Sequence, residues 1–254
     1  GKSGYSPVCG NQWLRGICEK PRVKCGVCPH RQLLPVTDDV IRWHLSGRDD
    51  QGADFVAGVY PMLLDESCFF LAIDFDKAGW QDDVCAVLTT CTRIDLPVVV
   101  ERSRSGNGAH VWMFFESAIP AGLARRLGAH LLTETMECRP DIGLDSYDRF
   151  FPNQDTLPSG GFGNLIALPL QREPRKVGNS VFVDEQFEPH VDQWAFVSSV
   201  KRISRTAVEQ VVHEAGRRSR IVGVRLARPE DDGNEPWNLA PSRRETNLAL
   251  ADPL

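Results

Sequence analysis

The sharpest pattern along the chain is an apolar run that ends in alternating acids, Phe69-Phe70-Leu71-Ala72-Ile73-Asp74-Phe75-Asp76-Lys77. Such a run reads as a strand, and in a strand Asp74 and Asp76 share one face. A second run, Val98 to Glu101, passes through Arg102-Ser103-Arg104-Ser105-Gly106-Asn107-Gly108 into Ala109-His110-Val111-Trp112-Met113-Phe114-Phe115, which is strand, turn, strand. Further strands are expected over 55–64, where the run should neighbour the acid-bearing strand, and over 165–170 and 181–183. Helical spacing predicts helices over 37–47, 80–93, 120–138 and 204–216, with Thr37 or Asp38 and Ser204 as caps, and Gly47 and Gly216 as stops. Residues 143–164 are dense in turn formers and read as one long loop, and long loops beside a core strand tend to be functional.

Composition changes this picture little. Hydrophobic residues make up 42% of 254 and charged residues 25%, which suits a globular core. The net charge of −5 argues against a uniformly basic coat but leaves room for a local basic groove, for which Arg172, Arg175 and Lys176 are candidates. No apolar run is long enough to span a bilayer and the start lacks a signal-type segment, so the expectation is a soluble, cytoplasmic protein without membrane association. The ends suggest a piece of a longer polypeptide, with 217–254 as a linker or tail.

Cysteines add the first chemistry. Four of the eight lie early, as Cys9, Cys18, Cys25 and Cys28, in the spacing C-x8-C-x6-C-x2-C. A Cys-x-x-Cys turn brings two thiolates to a tetrahedral Zn²⁺, and Cys9 and Cys18 would complete a closed, structural shell, with His30 able to replace one thiol. Lys20, Arg22, Lys24 and Arg31 surround the cluster. Residues 1–35 are therefore expected to form a zinc-binding module, and 36–216 the main domain.

The acid pair adds the second. Two carboxylates on one face of a buried strand repel unless a cation neutralises them, and hard ions such as Mg²⁺ or Mn²⁺ favour oxygen ligands. A solvated polar strand end explains a bare D-x-D as well. In the 102–108 turn, glycine lets backbone N–H groups approach an anion, while Arg104, Ser105, Asn107 and His110 can bond phosphate oxygens. Asn-Gly is also simply a good hairpin turn. A third carboxylate could come from Asp145, Asp148 or Asp155 in the long loop.

Taken together, the Cys-rich start, FLAIDFDK, ERSRSGNGAHVWMFF, SYDRFFPNQD and GGFGNLIALPLQ resemble the archaeo-eukaryotic primase superfamily. Within it they are most similar to the primase domain of TOTE conflict systems, and primases associated with CRISPR loci are similar. The resemblance spans roughly residues 5–200. It implies an α+β fold, an RRM-like antiparallel sheet with helices behind it, and template-dependent nucleotidyl transfer from nucleoside triphosphates on single-stranded DNA or RNA with two Mg²⁺ or Mn²⁺ ions. It places the metal-binding acid pair on Asp74 and Asp76, and the triphosphate-binding Ser-x-His near Ser105 to His110. Gly108 stands where that motif has serine. The third acid is assigned to Asp155, ahead of Asp145 and Asp148. A helicase region commonly follows in such proteins. Two other classes compete: a non-catalytic, zinc-containing single-strand-binding module, and another D-x-D metal enzyme such as a nuclease or glycosyltransferase.

Overall fold

The structure is a computed structural model that describes residues 8–139, 143–159, 161–217 and 246–248. After a one-turn 3-10 helix at Cys25–Val27 come α1 (Asp38–Ser46), β1 (Ala57–Val59), β2 (Ser67–Asp76), α2 (Trp80–Arg93), β3 (Val99–Arg102) and β4 (Gly108–Pro120). They are followed by α3 (Ala121–Cys138), β5 (Tyr147–Phe151), β6 (Ile166–Ala167), α4 (Arg172–Arg175), β7 (Val181–Val183), α5 (Gln193–Ser199), α6 (Arg205–Arg217) and β8 (Thr246–Leu248). Among the described residues no helix is long and apolar enough to cross a membrane.

The main sheet has five strands in the order β5-β2-β4-β3-β7, with every neighbouring pair antiparallel. Its chain order β2-α2-β3-β4-α3-β5 is a β-α-β-β-α-β unit, with β7 added at one edge. This is the α+β arrangement of antiparallel strands and helices that the resemblance implied. Period-two alternation divides β2 cleanly. Leu71, Ile73 and Phe75 are fully buried and face the helices, and a Cβ at Gly128 of α3 would sit 2.9 Å from Leu71 Cδ2. Val84, Val87, Leu127 and Leu131 meet them from α2 and α3. Burying such a side chain contributes about 1.5–3 kcal/mol, and this layer fixes the sheet on which everything else stands. Phe70, Ala72, Asp74 and Asp76 face the other way.

Three expectations change. The strand predicted over 55–64 is only β1, and it lies in a separate three-stranded sheet, β6-β1-β8, rather than beside β2. Pro61 offers no N–H to a ladder, and the chain turns at once, with Leu63 N–H donating to Ser67 O at 2.8 Å. The strand predicted over 165–170 shrinks to β6. The long loop over 143–164 contains β5, which pairs with β2. Within the predicted tail, β8 pairs in parallel with β1, and 218–245 and 249–254 lie outside the described residues.

Candidate active site

Register sets the site. Asp74 of β2 lies opposite His110 of β4 and Arg149 of β5, and His110 lies opposite Glu101 of β3. One row across the sheet therefore reads Arg149, Asp74, His110, Glu101, on the face away from α2 and α3. Asp76 stands opposite Gly108, where the β3–β4 turn begins, so the acid pair and the Gly-rich turn share one end of the sheet.

Glu101 is almost fully buried, and its Oε2 accepts from His110 Nδ1 at 2.8 Å and from Trp112 Nε1 at 3.2 Å. Ser180 Oγ donates to its other oxygen at 3.5 Å. His110 Nε2 then faces Asp74 Oδ1 at 3.5 Å. Burial pulls His110 down, but the charge and hydrogen bond of Glu101, joined by Asp74 and Asp76, outweigh it and raise the imidazole to about 9. The ring is a cation at neutral pH. Asp74 is 5% exposed, and burial pushes its carboxyl up to about 6; His110 and Arg149 oppose the rise, while Asp148 and Asp76 add to it.

The turn is tightly built. Ser103 N–H donates to Gly108 O at 2.9 Å, Gly106 N–H to Ser103 O at 3.0 Å, and Asn107 N–H to Ser105 Oγ at 3.2 Å. Gly106 has φ +79 and packs on Asn179, where a Cβ would come within 2.8 Å of Oδ1. Gly108 explains the missing serine: a Cβ there would lie 2.3 Å from Phe75 O. The close pairing of β2 and β4 leaves no space for one. Ser105 and Asn107 are exposed at the tip, and Arg104 is half-buried.

The third acid needs correction. Asp155 is not brought to this row. It pairs with buried Arg125 and sits against Gly122 on the first turn of α3. Leu157, two residues on, donates its N–H to Glu66 Oε1 at 3.1 Å, just before β2 begins. Asp74 is eight strand residues further, about 26 Å at roughly 3.3 Å per residue. Asp148, not Asp155, lies beside Asp74. The β2–β5 register slips between Asp74 and Phe75, so Asp148 is the extra residue of a bulge beside Arg149, whose Nε it accepts at 2.6 Å. Its charge acts directly on Asp74. Asp145 lies exposed beside Gly143, before the strand.

Sequence reasoning missed two contributors. Glu101 closes a β-branched run and passed for a strand end, although its alternation with Val99 puts it on the face of His110. Asp83 on α2 accepts from Ser146 Oγ at 2.5 Å and Ser146 N at 3.1 Å, and Ser146 O accepts from Asp76 N at 2.7 Å. That bridge fixes where β2 and β5 end relative to one another, and no local pattern announces it.

The early cysteines gather around one small cavity that Cys9, Cys18, Cys25, Cys28 and His30 line together. Gln32 N–H donates to Cys9 Sγ at 3.3 Å, and backbone N–H groups of Lys20 and Trp13 hold the Cys18 thiol below its usual range. Among the described residues, no three His, Cys, Asp or Glu side chains converge closely enough to hold a metal ion, here or at the acid row.

The sequence profile of the archaeo-eukaryotic primase domain of TOTE conflict systems matches residues 1–211. No curated protein matches the chain.

Proposed function

The chain belongs to the archaeo-eukaryotic primase domain family of TOTE conflict systems, and on that premise we propose that it is a template-dependent nucleotidyltransferase, a primase-polymerase that makes or extends primers from nucleoside triphosphates. The observation that carries this reading is the cross-strand row in which a buried carboxylate and an imidazolium stand side by side at the mouth of a Gly-rich turn.

The donor set at the sheet end suits hard divalent cations. Buried Asp74, with Asp76 and Asp148 beside it, is an oxygen cluster of the kind hard cations favour; burial first, and then the charges of Asp148 and Asp76, raise its carboxyl. As they stand the three side chains do not converge on one point, so exposed Asp76 and Asp148 would have to turn toward Asp74 to hold Mg²⁺ or Mn²⁺, which would lower the pKa of a 3′-hydroxyl and neutralise a leaving pyrophosphate. The remaining chemistry is positioning by the chain itself. Glu101 occupies His110 Nδ1–H and leaves Nε2–H beside Asp74, where it would meet a phosphate oxygen. Arg104, Ser105 and Asn107 with the turn amides would grip the rest of the triphosphate. His110 acts as a phosphate ligand: a ring held cationic by two carboxylates makes a poor general base.

Zn²⁺ suits the early module for a separate reason. Among residues 8–34 no side chain is buried, so apolar burial cannot hold the segment together. Chains this short need a metal or a disulfide, and all four cysteines are free thiols around one cavity. Residues up to 35 form the zinc module in this reading and 36–216 the catalytic domain, and a helicase is the proposed working partner. Single-stranded DNA or RNA is the template, and affinity for it falls steeply with salt.

The test supplies labelled nucleotides, Mg²⁺ or Mn²⁺ and a single-stranded template, with and without primer. Incorporation is expected, and Asp74→Ala should abolish it with the circular dichroism spectrum unchanged. Strand cleavage would instead identify a nuclease, and binding without incorporation a non-catalytic module.

A further inference from the structure

The zinc module presents a ring with no structural task. Trp13 has φ +62, a left-handed conformation that bulky residues rarely adopt. It sits at the third position of a turn in which Leu14 N–H donates to Asn11 O at 3.2 Å. Its own backbone N–H reaches the sulfur of Cys18, so the fold fixes the main chain here and turns the side chain outward. Trp13 is 68% exposed, the highest value for any described aromatic residue. Lone exposed apolar residues are ordinary, but Trp13 has company. Leu14 is 46% exposed beside it, and Lys20 Nζ lies 5.6 Å from the ring centroid.

Charge selects the occupant. Residues 9–31 carry Arg15, Lys20, Arg22, Lys24 and Arg31 against Glu19 alone, in a chain whose net charge is −5. A cation-rich segment on an otherwise acidic protein, with an exposed indole beside one of its lysines, is the combination single strands use: phosphates meet the cations, and a base covers the ring. We infer that Trp13 is a stacking platform for a base of single-stranded nucleic acid, with Lys20 and the neighbouring arginines gripping the adjacent phosphates. The inference rests on the proposed function only for why a strand is present, and names where on this chain it is held.

The experiment uses the full chain and a fluorescein-labelled single-stranded oligonucleotide, read by anisotropy over a range of salt. Trp13→Ala should weaken binding about 10-fold, within the roughly 5- to 150-fold that loss of one base–aromatic stack entails. The slope of log affinity against log salt should stay put, because no charge is removed. Trp13→Phe should stay within about 3-fold of the parent and Trp13→Leu should behave like alanine. Zinc content, measured on each variant, guards against a collapsed module; if alanine loses metal, the Phe–Leu comparison decides. Leucine binding as tightly as tryptophan would mark a plain apolar docking patch for protein and overturn the inference, as would an unchanged affinity for alanine. Asp74→Ala separates the two readings: it should block incorporation and leave anisotropy intact. Should the parent incorporate nothing while Trp13→Ala still weakens binding, the catalytic reading falls and this one stands.

Discussion

The carboxylate of Glu101 decides which way His110 faces. Nδ1 is committed to Glu101 at 2.8 Å, which leaves only Nε2 for a ligand. Glu101→Gln keeps the volume but replaces a charge-assisted bond, worth about 1.5–3 kcal/mol, with a neutral one. The expected result is a 10- to 100-fold rise in KM for the nucleotide with a smaller change in kcat; an unmoved KM would remove Glu101 from the site's function. His44 offers a test that is independent of the site. It is 2% exposed, accepts from Ala57 N–H at Nδ1 (3.1 Å) and donates from Nε2 to Pro169 O (2.8 Å), so it is neutral in the fold. Burial lowers its pKa below the ordinary value of about 6.5. The unfolded chain therefore binds the proton more readily, and His44 contributes stability that is present above about pH 6.5 and lost as pH falls below it. Urea midpoints at pH 7.5 and 5.5 should differ more for the parent than for His44→Gln; equal differences would show that His44 does not carry the acid sensitivity.

At the scale of elements, what the sequence revealed follows its periodicity. β2, α2, the β3–β4 hairpin and α3 were legible because each buries one face and alternates at its proper period, so Asp74, Asp76 and His110 were placed correctly on β2 and β4. β5 was not legible. It is five residues long, lies at the edge, is broken by a bulge and is embedded among turn formers, so no period survives in it. Asp155 was chosen for that reason: it stood closer to a recognisable strand, while Asp148, which lies beside Asp74, stood on an unrecognised one. What holds β5 in register is the buried Asp83–Ser146–Asp76 bridge. Ser146→Ala removes the 2.5 Å bond to Asp83 and should cost about 1–3 kcal/mol, a fall of a few degrees in Tm. A purely structural bond would do nothing more. Because this one sets the distance between Asp76 and Asp148, the metal concentration at half-maximal incorporation should also rise several-fold. A metal curve that coincides with the parent's while Tm falls would confine the bridge to stability.

The whole molecule divides by how each part is held. The main sheet and its helices share one large apolar core, whereas residues 8–34 contribute no buried side chain. The early segment closes through Cys9 and Leu33, with Gly10 N–H donating to Gln32 O at 2.8 Å. It leans on the rest where Arg31 lies 5.5 Å from the ring centroid of Phe162, and Phe162 packs on Tyr60. Half-buried Val8 also packs on the Val40–Phe55–Ala57 cluster, but this contact and a cation–π contact of about 0.5–1 kcal/mol are little to order so long a segment. If Zn²⁺ on Cys9, Cys18, Cys25 and Cys28 supplies the difference, metal binding and folding of the module are one equilibrium. Purified protein should then contain about one zinc per chain. Chelation, or the pair Cys25→Ser and Cys28→Ser, should expose residues 8–34 to limited proteolysis while the main thermal transition stays within a few degrees. Equal protection with and without metal would show that zinc does not hold the module. Loss of the main transition would show instead that the catalytic sheet depends on it, and that the two parts do not fold separately.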